Sequence, residues 1–183
     1  MKLVVVDVDL TVVDTLTPWI TWWEKQCRKK FDWDKVSKDF SINDQLVTGM
    51  KLEDYMKYWD REDLYDDLEP IEGSVKSLKL LKNMGYDIFF VSNCIDGHVK
   101  SKLRFLDKYF PFHDGLVSTA NKHMIKAEIY FDDHVEYIDN IVEHRPNAKV
   151  YQFVTRDNEY QLNSKAIPIK TWGEFDELHF ARS

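Results

Sequence analysis

The stretch "LVVVDVDLT" (residues 3–11) decides how the rest of the chain is read. Its first half, Leu3 to Val6, is a short continuous apolar run, the composition of a strand covered on both faces of a sheet. Its second half carries two carboxylates, Asp7 and Asp9, with Asp14 close behind. Side chains two positions apart on an extended chain share a face, so Asp7 and Asp9 point the same way. Two like charges closing a buried strand are a cost to the fold unless something positive meets them.

Working outward, the same texture returns. "YDIFFVSN" (86–93) is a second apolar run ending in polar residues, "GLVST" a short third, "EIYFDD" a fourth that again ends in two Asp, and "KVYQFV" a fifth. Between them lie helical periodicities: Val75, Leu78 and Leu81, stopping near Gly85; Val99, Leu103, Leu106 and Phe110, with Pro111 beyond; and Val135, Ile138, Ile141 and Val142. Thr171 and Glu174 have the spacing of a capping box opening a last helix. Strands alternating with helices predict an α/β fold, a Rossmann-like, mostly parallel five-stranded sheet flanked by helices.

Residues 15–68 differ in texture, with Trp19, Trp22, Trp23, Phe31 and Trp33, then Tyr55, Met56 and Trp59 at helical spacing. They are expected to form a small helical cap inserted after the first strand, with 1–14 and 69–183 forming the core.

The 183 residues are 44% hydrophobic and 31% charged, which fits a folded rather than a disordered chain. A net charge of −7 argues against a nucleic acid polymer as partner. Two cysteines, Cys27 and Cys94, suggest neither a disulfide framework nor a zinc site. No apolar run is long enough for a membrane span. Asp7 and Asp9 interrupt the first run before a signal peptide could form, so a cytoplasmic location is expected.

Asp7, Asp9, Ser92, Asp132 and Asp133 all fall at predicted strand C-termini, the edge where open α/β sheets bind ligands. An all-oxygen cluster of carboxylates suits a hard cation, and Mg²⁺ takes one or two carboxylates while keeping waters and a substrate phosphate. Such a site points to phosphoryl transfer. One carboxylate can attack phosphorus, and a second can move the proton. Ser92 and Lys122 are placed to hold the other phosphoryl oxygens, with Lys126 as the alternative lysine. Asn93 and His98, just after the second strand, are further substrate candidates. Asp133 is also a candidate cap for the helix that follows it.

Together, "DVDLT", "FFVSN", Lys122 and "FDD" resemble the four motifs of the haloacid dehalogenase superfamily, in order. A closer resemblance is to the 5'(3')-deoxyribonucleotidases. It is carried by "LEPIEGSVKSLKLL", by "KYF" at 108–110, by "NKHMIKAEIYFDD" with ten residues from Lys122 to Asp132, and by "IKTWGEF". Trp59, eleven residues before Pro70, matches an aromatic that lines the base pocket in that family.

The resemblance implies roles. Asp7 would be nucleophile and metal ligand. Asp9 would be general acid/base and a ligand through its backbone carbonyl. Asp132 would be the third protein ligand, and Asp133 the partner of a metal-bound water. Ser92 and Lys122 would bind the phosphate, and Trp59 would line the base pocket. Apart from the resemblance, Phe40 is the second candidate among the cap aromatics for stacking on the base, and Asn93 stays a candidate substrate contact. The implied substrate is a deoxyribonucleoside 5'- or 3'-monophosphate, and the family implies a homodimer. Departures lie at Leu10, where the family usually has Gly, at Thr15 for an aromatic, at Ala120 for Arg, and at His134-Val135 for Arg-Pro. They bear on base and sugar selection rather than on phosphate chemistry. The same chemistry on a sugar phosphate or a 3'-phosphate end, and a non-catalytic phosphate-binding module, are the alternatives.

Overall fold

A computed structural model describes residues 2–31, 50–156, 158–159 and 161–180. Among these, the strands are β1 (Lys2–Val6), β2 (Tyr86–Ser92), β3 (Gly115–Ser118), β4 (Ile129–Asp132), β5 (Lys149–Phe153) and β6 (Ile167–Ile169). The helices, numbered in the same way, are α1 (Leu16–Cys27), α2 (Leu52–Trp59), α3 (Ser74–Asn83), α4 (Val99–Tyr109), α5 (Val135–His144) and α6 (Trp172–Phe180).

The sheet is parallel throughout, in the order β3-β2-β1-β4-β5-β6. β1 lies in the middle, where the order reverses, so a crevice opens beyond its C-terminal end. Asp7 is the first residue past β1, and its N–H still bonds the Phe131 carbonyl at 2.9 Å. The sequence reading expects five strands, and the described sheet has six. β6 is the three-residue "IPI" at the edge, paired only to β5. A proline lacks the ladder donor and is tolerated at an edge, which is why so short a run reads as loop.

Strand alternation divides the core. Val4, Val6, Ile88, Phe90, Ile129 and Phe131 face α3, α4 and α6 and pack with Leu78, Phe105, Trp172 and Phe175. Val5, Val91 and Tyr130 face the other way, onto Ile138 and Ile141 of α5. Both faces of the central strands are dry, as continuous apolar runs require. Trp19, Ile20 and Trp23 of α1 join the first cluster along with Tyr58, Leu64 and Tyr65.

Local chemistry sets the helix ends. Asp14 Oδ1 accepts the N–H groups of Leu16 and Thr17, each at 3.0 Å, and so opens α1. Thr171 Oγ1 accepts the Glu174 N–H at 3.1 Å, as the capping-box spacing predicts. The returning Glu174 carboxylate takes the Lys170 N–H at 2.6 Å, one residue earlier than in the usual box. Gly73, at φ +86°, lets α3 meet α6, because a Cβ there would lie 2.9 Å from Trp172 Cβ. Trp172 is fully buried and its Nε1–H donates to the Thr11 carbonyl at 3.0 Å, tying α6 to the turn after β1.

The face of α4 differs in part from the expected one. Ser101, Lys102, Phe105 and Leu106 are buried, whereas Leu103 is 40% exposed. Of the expected positions Val99, Leu103, Leu106 and Phe110, the last two are buried as expected and Leu103 is not; Phe105 turns inward instead, and the inward face also carries a lysine into the protein.

Candidate active site

Beyond β1 the chain makes a tight turn in which Leu10 sits at φ +56° and its N–H bonds the Val13 carbonyl at 2.8 Å. This is the left-handed region that glycine occupies freely and a β-carbon disfavours. The turn holds Asp7 and Asp9 toward one cleft of about 230 Å³, whose wall also includes Thr15, Trp19, Trp59, Ser92, Asn93 and Asp133. Trp19 and Trp59 pack on each other there, with ring centroids 5.1 Å apart.

Asp7 and Asp132, at the ends of neighbouring strands, share one cation. Lys122 Nζ lies 2.7 Å from Asp7 Oδ1 and 2.7 Å from Asp132 Oδ2. Lys122 is buried, on a short 3₁₀ turn (Lys122–Met124), while Lys126 is exposed. The two flanking carboxylates outweigh burial and raise the Lys122 ammonium above its ordinary range. The Lys122 ammonium also stands 4.6 Å from the centroid of the Tyr137 ring. Asp132 Oδ1 accepts the His134 N–H at 3.0 Å, and the N-cap position of α5 falls on His134 rather than on Asp133.

Asp9 is held by other groups. Tyr65 donates its hydroxyl to Asp9 Oδ1 at 2.6 Å, and Lys102 Nζ lies 2.7 Å from Oδ2 and 2.8 Å from Ser92 Oγ. Burial pushes the Asp9 carboxyl up, but Lys102 and the Tyr65 hydrogen bond more than offset it and hold Asp9 below the usual carboxylate range. Asp7 goes the other way. Burial, with Asp132 and Asp9 nearby, lifts it to about 6 despite Lys122. Asp133 is raised well above its ordinary value by burial first, then by Asp7 and Asp132.

Four carboxylates therefore face two lysines, and the deficit of positive charge falls on Asp7 and Asp133. One oxygen from each of Asp7, Asp132 and Asp133 lies within 4.8 Å of the others. An all-oxygen donor set with unneutralised charge fits a hard dication.

The structure brings Asp7, Asp9, Ser92, Asn93, Lys122, Asp132, Asp133 and Trp59 to one place. Phe40 lies outside the described residues. His98 is buried and does not line the cleft. Sequence reasoning missed Lys102 and Tyr65. A signal for Lys102 existed: two separate pairs of acids need two cations, and the helix following the Ser92 strand carries this lysine. Tyr65 gave none, since it reaches Asp9 from 56 residues away.

A family model described as 5' nucleotidase, deoxy (pyrimidine), cytosolic type C matches residues 1–179. The 5'(3')-deoxyribonucleotidases of Bacillus subtilis (strain 168) and of Bacillus phage SPbeta are each 29% identical over 149 residues, covering 76% of this chain and 80% of theirs. Among solved structures, a haloacid dehalogenase-like protein of unknown function from Agrobacterium tumefaciens superposes with a TM-score of 0.70 at 14% identity, covering 100% of this chain and 99% of that one. A haloacid dehalogenase family hydrolase from Deinococcus radiodurans, solved with bound phosphate and sodium, gives 0.67 at 12% identity, covering 97% and 94%. These two likenesses establish the fold, and the match along nearly the whole chain establishes more. The chain belongs to the cytosolic type C 5' nucleotidase family and is a phosphoric monoester hydrolase of the 5'-nucleotidase type.

Proposed function

We propose that this protein is a Mg²⁺-dependent phosphatase that hydrolyses deoxyribonucleoside 5'- or 3'-monophosphates through an aspartyl-phosphate on Asp7. The reading is carried by one observation: Asp7, bridged through buried Lys122 to Asp132, lines the same cleft as Asp133 and Trp59. Phosphate chemistry and a surface for stacking a base therefore share one cavity.

Asp7, Asp132 and Asp133, with the Asp9 carbonyl, would hold the metal, which when bound neutralises the phosphate and the carboxylates around it. Lys122 fixes Asp7 in place for attack on phosphorus. As the P–O bond to the sugar breaks, Asp9 gives that oxygen a proton. It then takes one from the water that cleaves the aspartyl-phosphate, so the products are nucleoside and inorganic phosphate. Asp9 can carry a proton only once the grip of Lys102 loosens. An incoming phosphate dianion engages Ser92, which lines the cleft and bonds Lys102, and adds negative charge beside Asp9, and so supplies that change. Asn93 and Ser92 bind phosphoryl oxygens, and Trp59 stacks on the base, a contact worth about 1–3 kcal/mol. The reading includes a cytoplasmic location, in keeping with the cytosolic type of the family. No helix among the described residues is long and apolar enough to cross a membrane.

Phosphate release from deoxy- and ribonucleoside 5'- and 3'-monophosphates, with Mg²⁺ or with EDTA, tests it. The expected result is metal-dependent turnover with a preference for deoxynucleotides, absent in Asp7→Asn. Turnover that survives EDTA, or a clear preference for a sugar phosphate, would overturn it.

A further inference from the structure

We propose that His98 is a positioning residue that sets base recognition by latching the Trp59 end of α2 onto the core. The inference rests on the nucleotide reading above, in which Trp59 stacks on the base.

His98 closes the short turn Asp96–His98 that follows β2, one residue before α4 begins. It is buried, and both ring nitrogens are used. Nε2 accepts the Ile95 backbone N–H at 3.1 Å. A backbone N–H can only donate, so Nε2 is the bare nitrogen and Nδ1 carries the proton. That Nδ1–H donates to the Trp59 carbonyl at 2.8 Å. Trp59 is the last residue of α2, where carbonyls have no partner within the helix. The ring edge of His98 also meets Tyr65, at 5.4 Å between centroids.

A second contact closes the same joint. At Gly97 a Cβ would lie 2.3 Å from Asp60 Oδ1 and 2.4 Å from the Asp60 carbonyl oxygen, so the loop backbone presses directly on the residue after Trp59. Only glycine permits this approach. The loop that begins with Ser92 and Asn93 at the phosphate end therefore ends by holding the indole-bearing end of α2. The His98 bond and the Gly97–Asp60 contact tie the Trp59 end of α2 directly to the β2 loop, so this joint helps set the distance between phosphate site and stacking surface. His98 touches neither substrate nor the reacting carboxylates.

The test compares kcat and KM for the preferred nucleotide and for deoxyribose 5-phosphate, which lacks the base. His98→Ala and Gly97→Ala are expected to lower kcat/KM for the nucleotide by about tenfold, the size of one lost stacking contact, through KM. Turnover of deoxyribose 5-phosphate should hold. His98→Asn, whose amide N–H stands where Nδ1–H does, should recover most of the loss. Equal loss on both substrates, no loss on either, or no recovery in a folded His98→Asn would overturn the latch. If the wild-type protein itself uses deoxyribose 5-phosphate as well as any nucleotide, the nucleotide reading fails instead. The two failures are thus told apart by the unmutated enzyme.

Discussion

The ammonium of Lys102 is fully buried and lies 2.7 Å from Asp9 Oδ2, although the two residues sit on different elements 93 positions apart. This contact separates Asp9 from Asp7. One carboxylate is tied to a lysine it shares with Ser92, the other to a lysine it shares with Asp132. Lys102→Met removes the first tie. Breaking a fully buried pair costs about 3–5 kcal/mol. Asp9 is 29% exposed, so roughly 2 kcal/mol is expected here. Urea denaturation reads this loss, and kcat should fall with it. An active Lys102→Met enzyme of unchanged stability would remove the lysine from the account of Asp9.

The crowding of Asp7, Asp132 and Asp133 gives a metal-linked expectation. On the proposed reading Mg²⁺ would bind the folded site and not the unfolded chain, so it should raise the melting temperature at neutral pH. At a hundredfold excess over its dissociation constant the gain is about 2.7 kcal/mol. Asp132→Asn should abolish the Mg²⁺-dependent shift. Differential scanning fluorimetry with Mg²⁺ and with EDTA measures both.

Leu10 supports a cleaner conformational test. Its φ of +56° penalises any residue with a β-carbon. Replacing Leu10 by Gly or by Ala removes the same packing, apart from one methyl group. The Gly variant should then be more stable than the Ala variant by about 1 kcal/mol. Equal stabilities would show that the turn relaxes when the leucine is cut back.

Asp114 carries an expected pH dependence away from the active site. Burial pushes its carboxyl up, but Lys82 Nζ, at 2.7 and 2.6 Å from its two oxygens, and the Ile88 N–H, at 2.7 Å, hold it below the ordinary value. A carboxyl depressed in the folded state stabilises above its unfolded pKa, and that contribution is lost as pH falls through the folded value. Asp114→Asn should therefore cost about 0.5–1 kcal/mol at pH 7, after allowance for solvent screening, and progressively less toward pH 3. A cost that is the same at both pH values would assign the effect to packing.

The alternation of apolar runs with helical periodicities was enough to read the doubly wound sheet, because each central strand is dry on both faces and must be apolar throughout. The same logic could not see β6, whose "IPI" is short and at an edge. It also misplaced one position on the face of α4. Leu103 fits the apolar spacing as well as Phe105 does, and only packing against β1 and β2 decides which of them turns inward.

By itself the sequence determined where the acidic residues stand. Asp7, Asp9, Asp132 and Asp133 end strands, and strand order in an α/β chain brings such ends together. It also determined the match to its family, which runs along nearly the whole length. Only the tertiary structure decided how the charges are shared: Lys122 between Asp7 and Asp132, and Lys102 with Tyr65 on Asp9. It alone decided that His98 serves the joint at Trp59 rather than the cleft. The physical reason is range. Periodicity reports which face of an element is dry, whereas a buried charge chooses its partner by distance in space, across tens of residues that no local pattern connects.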